Sequence, residues 1–319
     1  MFEEELEKIS SGKIYSSTET VIYALDLLNT VVKQKDPSLF IEVTEKILRS
    51  RVTSAMLQNI MRIILGELVA AQPRSFVELG EAFQKQYERA TSRLREDVER
   101  SASIASRRIS NGDVLLTNSY SLFVKKTIEK ALRDGKELKV YVTESRPTGE
   151  GVRFAAELAD MGVDTYLIVD SAARFFMKEV DKVLFSSEAI SANGAVVNKV
   201  GTSLIALAAH EARVRVYVVS STLKFSPETI IGELVEIPEI EFTEYIPSGW
   251  ENLRKLKPRS PLFDVTPPSY IDAIITEKGV IAPEFSIVML RESFGWPLKV
   301  EKVENLLSRL KNMLVGEGR

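Results

Sequence analysis

Between Tyr15 and about Ser110, apolar residues recur at intervals of three and four with almost no glycine, which is the spacing of amphipathic helices. The breaks are legible. Asp36-Pro37 starts a helix at SLFIEVTEKILRS, Gln72-Pro73 ends the next, and Ser75-Phe76-Val77-Glu78 has the capping-box form that opens a long helix. That helix, through QKQYERATSRLREDVERSASIASRRIS, alternates acids and bases over a thin apolar seam. It is expected to be an exposed connector or interface helix rather than a basic binding face.

After Asn111-Gly112 the pattern changes to short apolar runs alternating with helical segments, as in a parallel α/β sheet. The expected strands are DVLLT, LKVYVT, DTYLIV, KVLF, VRVYVVS and IDAIIT. Helices are expected over 121–133, 150–162, 172–179, 202–212 and 284–293, and VEKVENLLSRLKNMLVG reads as a last amphipathic helix. The expected organisation is an all-helical region over 1–110 followed by a Rossmann-like α/β region with a mostly parallel sheet over 111–319. Polar clusters follow the strand ends (TNSYS, TESRPTGEG, DSAAR, SSE). Ligands of open parallel sheets bind beyond the carboxyl ends of the strands, so these clusters should converge on one crevice.

Composition narrows the chemistry. The chain has 319 residues, 45% of them hydrophobic, enough for a large core. It has no cysteine and one histidine, which removes thiolate nucleophiles, disulfides and thiolate metal sites and leaves little imidazole chemistry. No metal or cofactor is expected. A net charge of -3 argues against general nucleic-acid binding but leaves room for a local basic pocket. No apolar run is long enough to span a membrane, and the start MFEEELEKIS is acidic where a signal peptide is basic and then apolar, so a cytoplasmic protein is expected.

Four stretches hold candidate chemistry. TNSYS places Asn118, Ser119 and Ser121 where a strand hands over to a helix whose unpaired amides favour an anion. Simple N-capping by Ser119 or Ser121 is the competing account. In VTESRPTGEG, Arg146 is posed to fork onto a phosphate or carboxylate, or to form a plain salt bridge with Glu144 or Glu150. Glu188 ends KVLFSSE as a proton carrier, a hydroxyl acceptor or a surface charge. In ISANGAVVNKVGT, Asn193-Gly194 marks a turn, and Asn198 and Lys199 are expected to point into the crevice. His210, late in an apolar helix, reads as a dipole partner or a packed core residue.

Together TNSYS, TESRP, VDSAAR, ANGAVVNKVGT, LKFSPET and FDVTPPSYIDAIITEKG, in this order and spacing, resemble one family over nearly the whole chain. It unites the regulatory subunits of initiation factor 2B with ribose-1,5-bisphosphate isomerase and methylthioribose-1-phosphate isomerase. VDSAARFFMK and DVTPPSYIDAIITEKGVIAP look closest to the archaeal ribose-1,5-bisphosphate isomerase branch. The resemblance implies a helical N-terminal domain, a Rossmann-like domain, dimers, and hexamers of dimers in the isomerase branch. It implies ligand-binding roles for Arg51, Thr53, Arg146, Asn198, Lys199 and Lys224, with Asn59 downstream of Arg51-Val52-Thr53, beside the anion-binding roles that the TNSYS residues themselves suggest for Asn118 and Ser121.

The isomerases resembled use a cysteine in a Thr-His-Cys cluster and an aspartate in a Gly-Ala-Asp cluster. Here Ser119 stands for the first and Glu188 for the second, and Ile9-Ser10 replaces an Arg-Gly ligand loop. A serine hydroxyl is a far weaker acid than a thiol and needs a partner base that the sequence does not supply. The leading expectation is therefore a non-catalytic, oligomeric, initiation-factor-2B-like protein binding a phosphorylated sugar or nucleoside monophosphate. Its implied macromolecular partners are translation initiation factor 2 subunits or a paralogue. The alternative is a sugar-phosphate isomerase with a re-tuned site built on Ser119 and Glu188.

Overall fold

The computed structural model of the chain describes residues 2–10, 14, 16–242, 249, 255–296 and 300–315. Its first third is helical, with α1 (Glu3–Ser10), α2 (Ser17–Val32), α3 (Pro37–Ser50), α4 (Ala55–Ala71) and α5 (Phe76–Ser106). Side chains fix the starts by taking amides that a helix leaves unpaired. Ser16 accepts the Glu19 amide, and Asp36 accepts that of Leu39 with Pro37 at the first helical position. Ser75 Oγ takes the Glu78 amide, while the Glu78 carboxylate reaches back to the amide of Arg74, one residue beyond the usual capping-box partner.

The α/β part runs β1 (Val114–Thr117), α6 (Leu122–Arg133), β2 (Lys139–Thr143), α7 (Glu150–Asp160), β3 (Asp164–Ile168), α8 (Ala173–Phe176) and β4 (Lys182–Phe185). It continues through β5 (Ala189–Ile190), β6 (Val196–Lys199), α9 (Thr202–Ala212), β7 (Arg215–Val219), β8 (Glu239–Ile240), β9 (Ser260–Pro261) and β10 (Phe263–Thr266). β11 (Ala273–Thr276), β12 (Gly279–Ile281), α10 (Ser286–Phe294) and α11 (Val303–Val315) complete it.

The main sheet has the order β12-β11-β7-β4-β1-β2-β3 and is parallel except for β12. The chain winds outward from β1 through β2 to β3, then returns beside β1 as β4 and winds the other way. This places a switch point between the carboxyl ends of β1 and β4. All six strands expected from the sequence lie in this sheet. Their alternation explains why both faces are covered. Leu115, Val140 and Leu184 face a core shared with α5, α6 and α7, whereas Leu116, Tyr141 and Val183 face one shared with α8 and α9.

The first of these cores continues into the N-terminal helices, so Leu25, Phe83, Leu94 and Leu115 belong to one buried cluster. α11 returns from the far end of the chain to pack on α3 and α4, burying Leu310. No helix among the described residues is long and apolar enough to cross a membrane.

Two small antiparallel sheets escape the sequence pattern, one of them the β8–β9 pair. β5, β6 and β10 form the other, with Asn198 opposite Asp264 and Lys199 opposite Phe263. The Asn193-Gly194 turn joins β5 to β6, and a Cβ on Gly194 would fall 2.2 Å from the Pro283 carbonyl oxygen. Only glycine fits there. The strands are too short, and their partner too distant in sequence, for periodicity to mark them.

Candidate functional site

A cavity of about 610 Å³ opens beyond the carboxyl ends of β1 and β4, closed on its other side by α2 and the α3–α4 turn. Its described lining includes Arg49, Arg51, Lys199 and Lys224 as cations and Glu150 and Glu188 as carboxylates, an excess of two positive charges. An anionic ligand is electrostatically favoured there.

One cluster is built on Glu188. Its amide donates to the Val197 carbonyl (2.8 Å), which ties the end of β4 to β6. The carboxylate is 6% exposed and takes Arg51 Nη2 at 2.9 Å. Burial would raise its pKa, but Arg51 and Lys224, with hydrogen bonds from Arg51 and Ser54, outweigh that and hold it below the ordinary glutamate value. Lys224 is 2% exposed, donates to the Ser187 carbonyl, and lies 4.9 Å from the Phe123 ring centre. Burial pushes its pKa down to about 8, against the upward pull of Glu188. Asn59, which the resemblance linked to the phosphate cradle, instead donates to the carbonyls of Leu223 (2.8 Å) and Phe225 (2.9 Å), fixing the backbone on either side of Lys224.

A second cluster joins Ser119, Glu150, Thr148 and Lys199. Ser119 Oγ donates to Glu150 Oε1 at 2.9 Å, and Lys199 Nζ reaches the same oxygen at 2.9 Å and Thr148 Oγ1 at 3.0 Å. Thr148 Oγ1 donates to the other Glu150 oxygen. Glu150 reaches this position because α7 starts hard against β2. A Cβ on Gly151 would lie 1.8 Å from the Thr143 carbonyl oxygen.

The remaining expected residues separate into those at the cavity and those beside it. Thr53 lines the cavity and donates to the Glu236 carbonyl at 2.7 Å. Ser121 lines it too and also caps α6 through the Val124 amide, so the capping account applies to Ser121 and not to Ser119. Asn198 lines the cavity, whereas Asn118 sits behind it. Both amides donate to Thr202 Oγ1 (3.0 and 2.9 Å), and that hydroxyl donates to the Lys199 carbonyl at 2.6 Å. Arg146 is a correction to the expected convergence. Its side chain points to solvent and pairs with Glu144 at 3.1 Å, while Asp170 takes its amide. Its loop contributes Thr148 and Glu150 to the cavity instead. Ser10 reaches the cavity, and Ser11–Lys13 lie outside the described residues. His210 packs near Tyr270 at 5.3 Å and lines no part of the cavity.

Sequence reasoning missed Thr202 and named Glu150 only as a candidate salt-bridge partner of Arg146. The signal for Glu150 was the Gly-Glu-Gly run at a helix start, where a residue without a side chain on each flank permits close approach. Among the described residues, no group of three His, Cys, Asp or Glu is set to hold a metal ion.

Residues 13–283 match the sequence profile of the initiation factor 2 subunit family. The chain belongs to that family. A protein of Thermococcus kodakarensis named ribose 1,5-bisphosphate isomerase is 38% identical over 304 residues, 92% of this chain and 93% of its own. A Pyrococcus furiosus protein of the same name is 47% identical over 206 residues, 63% of each chain. Among solved structures, the translation initiation factor eIF-2B of Pyrococcus horikoshii is 28% identical and superposes with a TM-score of 0.74 over 89% of this chain and 98% of its own. This family member thus resembles proteins named for catalysis and proteins named for translation.

Proposed function

We propose that this chain binds a phosphorylated pentose in the cavity at the switch point and interconverts its aldose and ketose forms, as an isomerase of the ribose 1,5-bisphosphate type. The observation that carries this is the pairing, in one cavity, of a buried lysine near neutrality with a hydroxyl backed by a carboxylate. Isomerisation with ring opening needs one group to take the C2 proton and another to protonate the ring oxygen. Lys224, brought down to about 8 by burial, suits the second task. Ser119 occupies the place of the isomerases' thiol, and the missing partner base that weighed against it is supplied in space by Glu150. Arg51, Arg49 and Lys199 offer the charge for phosphate. Glu188, paired to Arg51 and held ionised, suits charge balance for Lys224 better than proton abstraction, because a depressed pKa weakens a base.

A second reading is a regulatory site that binds a phosphorylated sugar or nucleoside monophosphate without turning it over. It would act within a self-assembled oligomer, with a paralogue, or on translation initiation factor 2. The serine in place of a thiol favours it. Purified protein incubated with ribose 1,5-bisphosphate and assayed for ribulose 1,5-bisphosphate separates the two. Product formation supports the isomerase. A thermal shift with the same sugar or with a nucleoside monophosphate, and no product, supports the regulatory site.

A further inference from the structure

Ser119 is held in a backbone conformation that its residue type rarely takes. Its φ is 61°, in the left-handed region, although it carries a Cβ. Such a conformation is unfavourable for a residue with a Cβ and persists only where neighbouring bonds over-determine it. Those bonds are present. The Ser119 amide donates to Ser145 Oγ at 2.6 Å, and Ser145, itself at φ 63°, is fixed through its own amide by the Asp170 carboxylate at 2.8 Å. Capping does not explain the strain, because Ser121 caps α6.

The consequence of the strained turn is the placement of Ser119 Oγ against Glu150. That carboxylate is 6% exposed and is held by Ser119, Lys199 and Thr148. A buried carboxylate that accepts a hydroxyl's proton, with an ammonium group balancing its charge, is what a serine needs to act as a proton relay.

We propose that Glu150 is the base of this site and that it acts through Ser119. The inference rests on the isomerase reading. Ser119 Oγ takes the proton from C2 of the pentose while its own proton passes to Glu150 Oε1. The C2–H electron pair becomes the C1=C2 bond, the bond from C1 to the ring oxygen breaks, and the ring oxygen takes a proton from the Lys224 ammonium. In the second half, the C2 hydroxyl of the enol gives its proton to the Lys224 amine as C2=O forms. C1 then takes a proton from Ser119, which is refilled from Glu150. Every proton is returned and no oxidant or second substrate is consumed.

Turnover of ribose 1,5-bisphosphate by the wild type, Glu150→Gln, Ser119→Cys and the double variant tests this. Glu150→Gln should lower kcat at least a hundredfold with KM within about threefold. In the Ser119→Cys background the same change should cost less than about tenfold, because a thiol ionises without a carboxylate behind it. Equal loss in both backgrounds would mean that Glu150 only props up the site, and activity of Glu150→Gln near the wild-type level would overturn the proposal outright. A wild type that binds the sugar without turnover sinks the isomerase reading and this inference together, whereas an active wild type with an active Glu150→Gln sinks the inference alone. Should Glu150→Gln not fold, Ser119→Ala asks the same question from the other end of the relay: activity retained by it overturns the proposal.

Discussion

At the scale of single residues, burial sets the character of the site more than residue type does. Lys224 is chemically ordinary, yet taking its ammonium out of water brings its pKa to about 8 while Glu188 pulls the other way. The folded pKa lies below the 10.5 of a free lysine, so the folded chain binds fewer protons than the unfolded one in that interval and gains stability as pH rises from about 8 toward 10.5. Glu188→Gln removes the charge that supports the ammonium. In that variant the window should open about one unit or more lower, which urea denaturation between pH 6 and 10 will read. Arg51 loses its partner in the same variant, at a cost of about 3 kcal/mol. The share of acid-side loss expected of Glu188 in the wild type, as pH falls through its depressed folded value, should vanish in the variant. The sequence identified Glu188 and Lys224 as site residues, but their mutual influence depends on distances between residues 36 positions apart in the chain (224 minus 188).

At the scale of elements, helix starts and strand runs were largely legible because they depend on local chemistry. Caps at Asp36 and Ser75 and the apolar runs of the six main strands need no distant partner. The β5-β6-β10 sheet and the seating of α7 on β2 do need one, and both shape the site. Gly151 shows the second case. Substitution by Ala would press a methyl group on the Thr143 carbonyl 1.8 Å away, so α7 must shift and take Glu150 with it. Gly151→Ala should cost about 1–3 kcal/mol and abolish the thermal shift with pentose phosphate. Gly66→Ala in α4 is the control. Nothing lies within 4 Å of its added methyl group, and it should stabilise the chain by about 0.5–1 kcal/mol in urea denaturation.

At the scale of the whole molecule, the helical and α/β parts share one core and several buried polar contacts, of which Asp97 carries one that titrates. Asp97 on α5 accepts a hydrogen bond from Ser221, beyond β7, at 2.8 Å. Burial raises its pKa to about 6, helped by the nearby Glu277 charge and opposed by Ser221, Arg93 and Arg100. Here the folded chain binds more protons than the unfolded one, so stability should fall as pH climbs from about 4 through 6. Asp97→Asn keeps an acceptor for Ser221 and removes the buried charge. It should flatten that slope and raise stability at pH 8 by up to about 3 kcal/mol, measured by urea denaturation at both ends of the window.

The class of fold, the strands and helices around the switch point, and the absence of a thiol are all legible along the chain. Each follows from local periodicity, capping or residue type. The sequence also placed Ser119, Glu188, Asn198 and Lys199 near one crevice, because strand ends in an open parallel sheet converge. The folded structure settles which of them touch. It turned Arg146 outward to Glu144 and gave Thr202 both asparagine amides. It set Glu150 against Ser119, restoring to that hydroxyl the partner base that no reading along the chain supplied. Proton transfer depends on atoms within about 3 Å of one another, and a sequence fixes neighbours along the chain but not across a cavity.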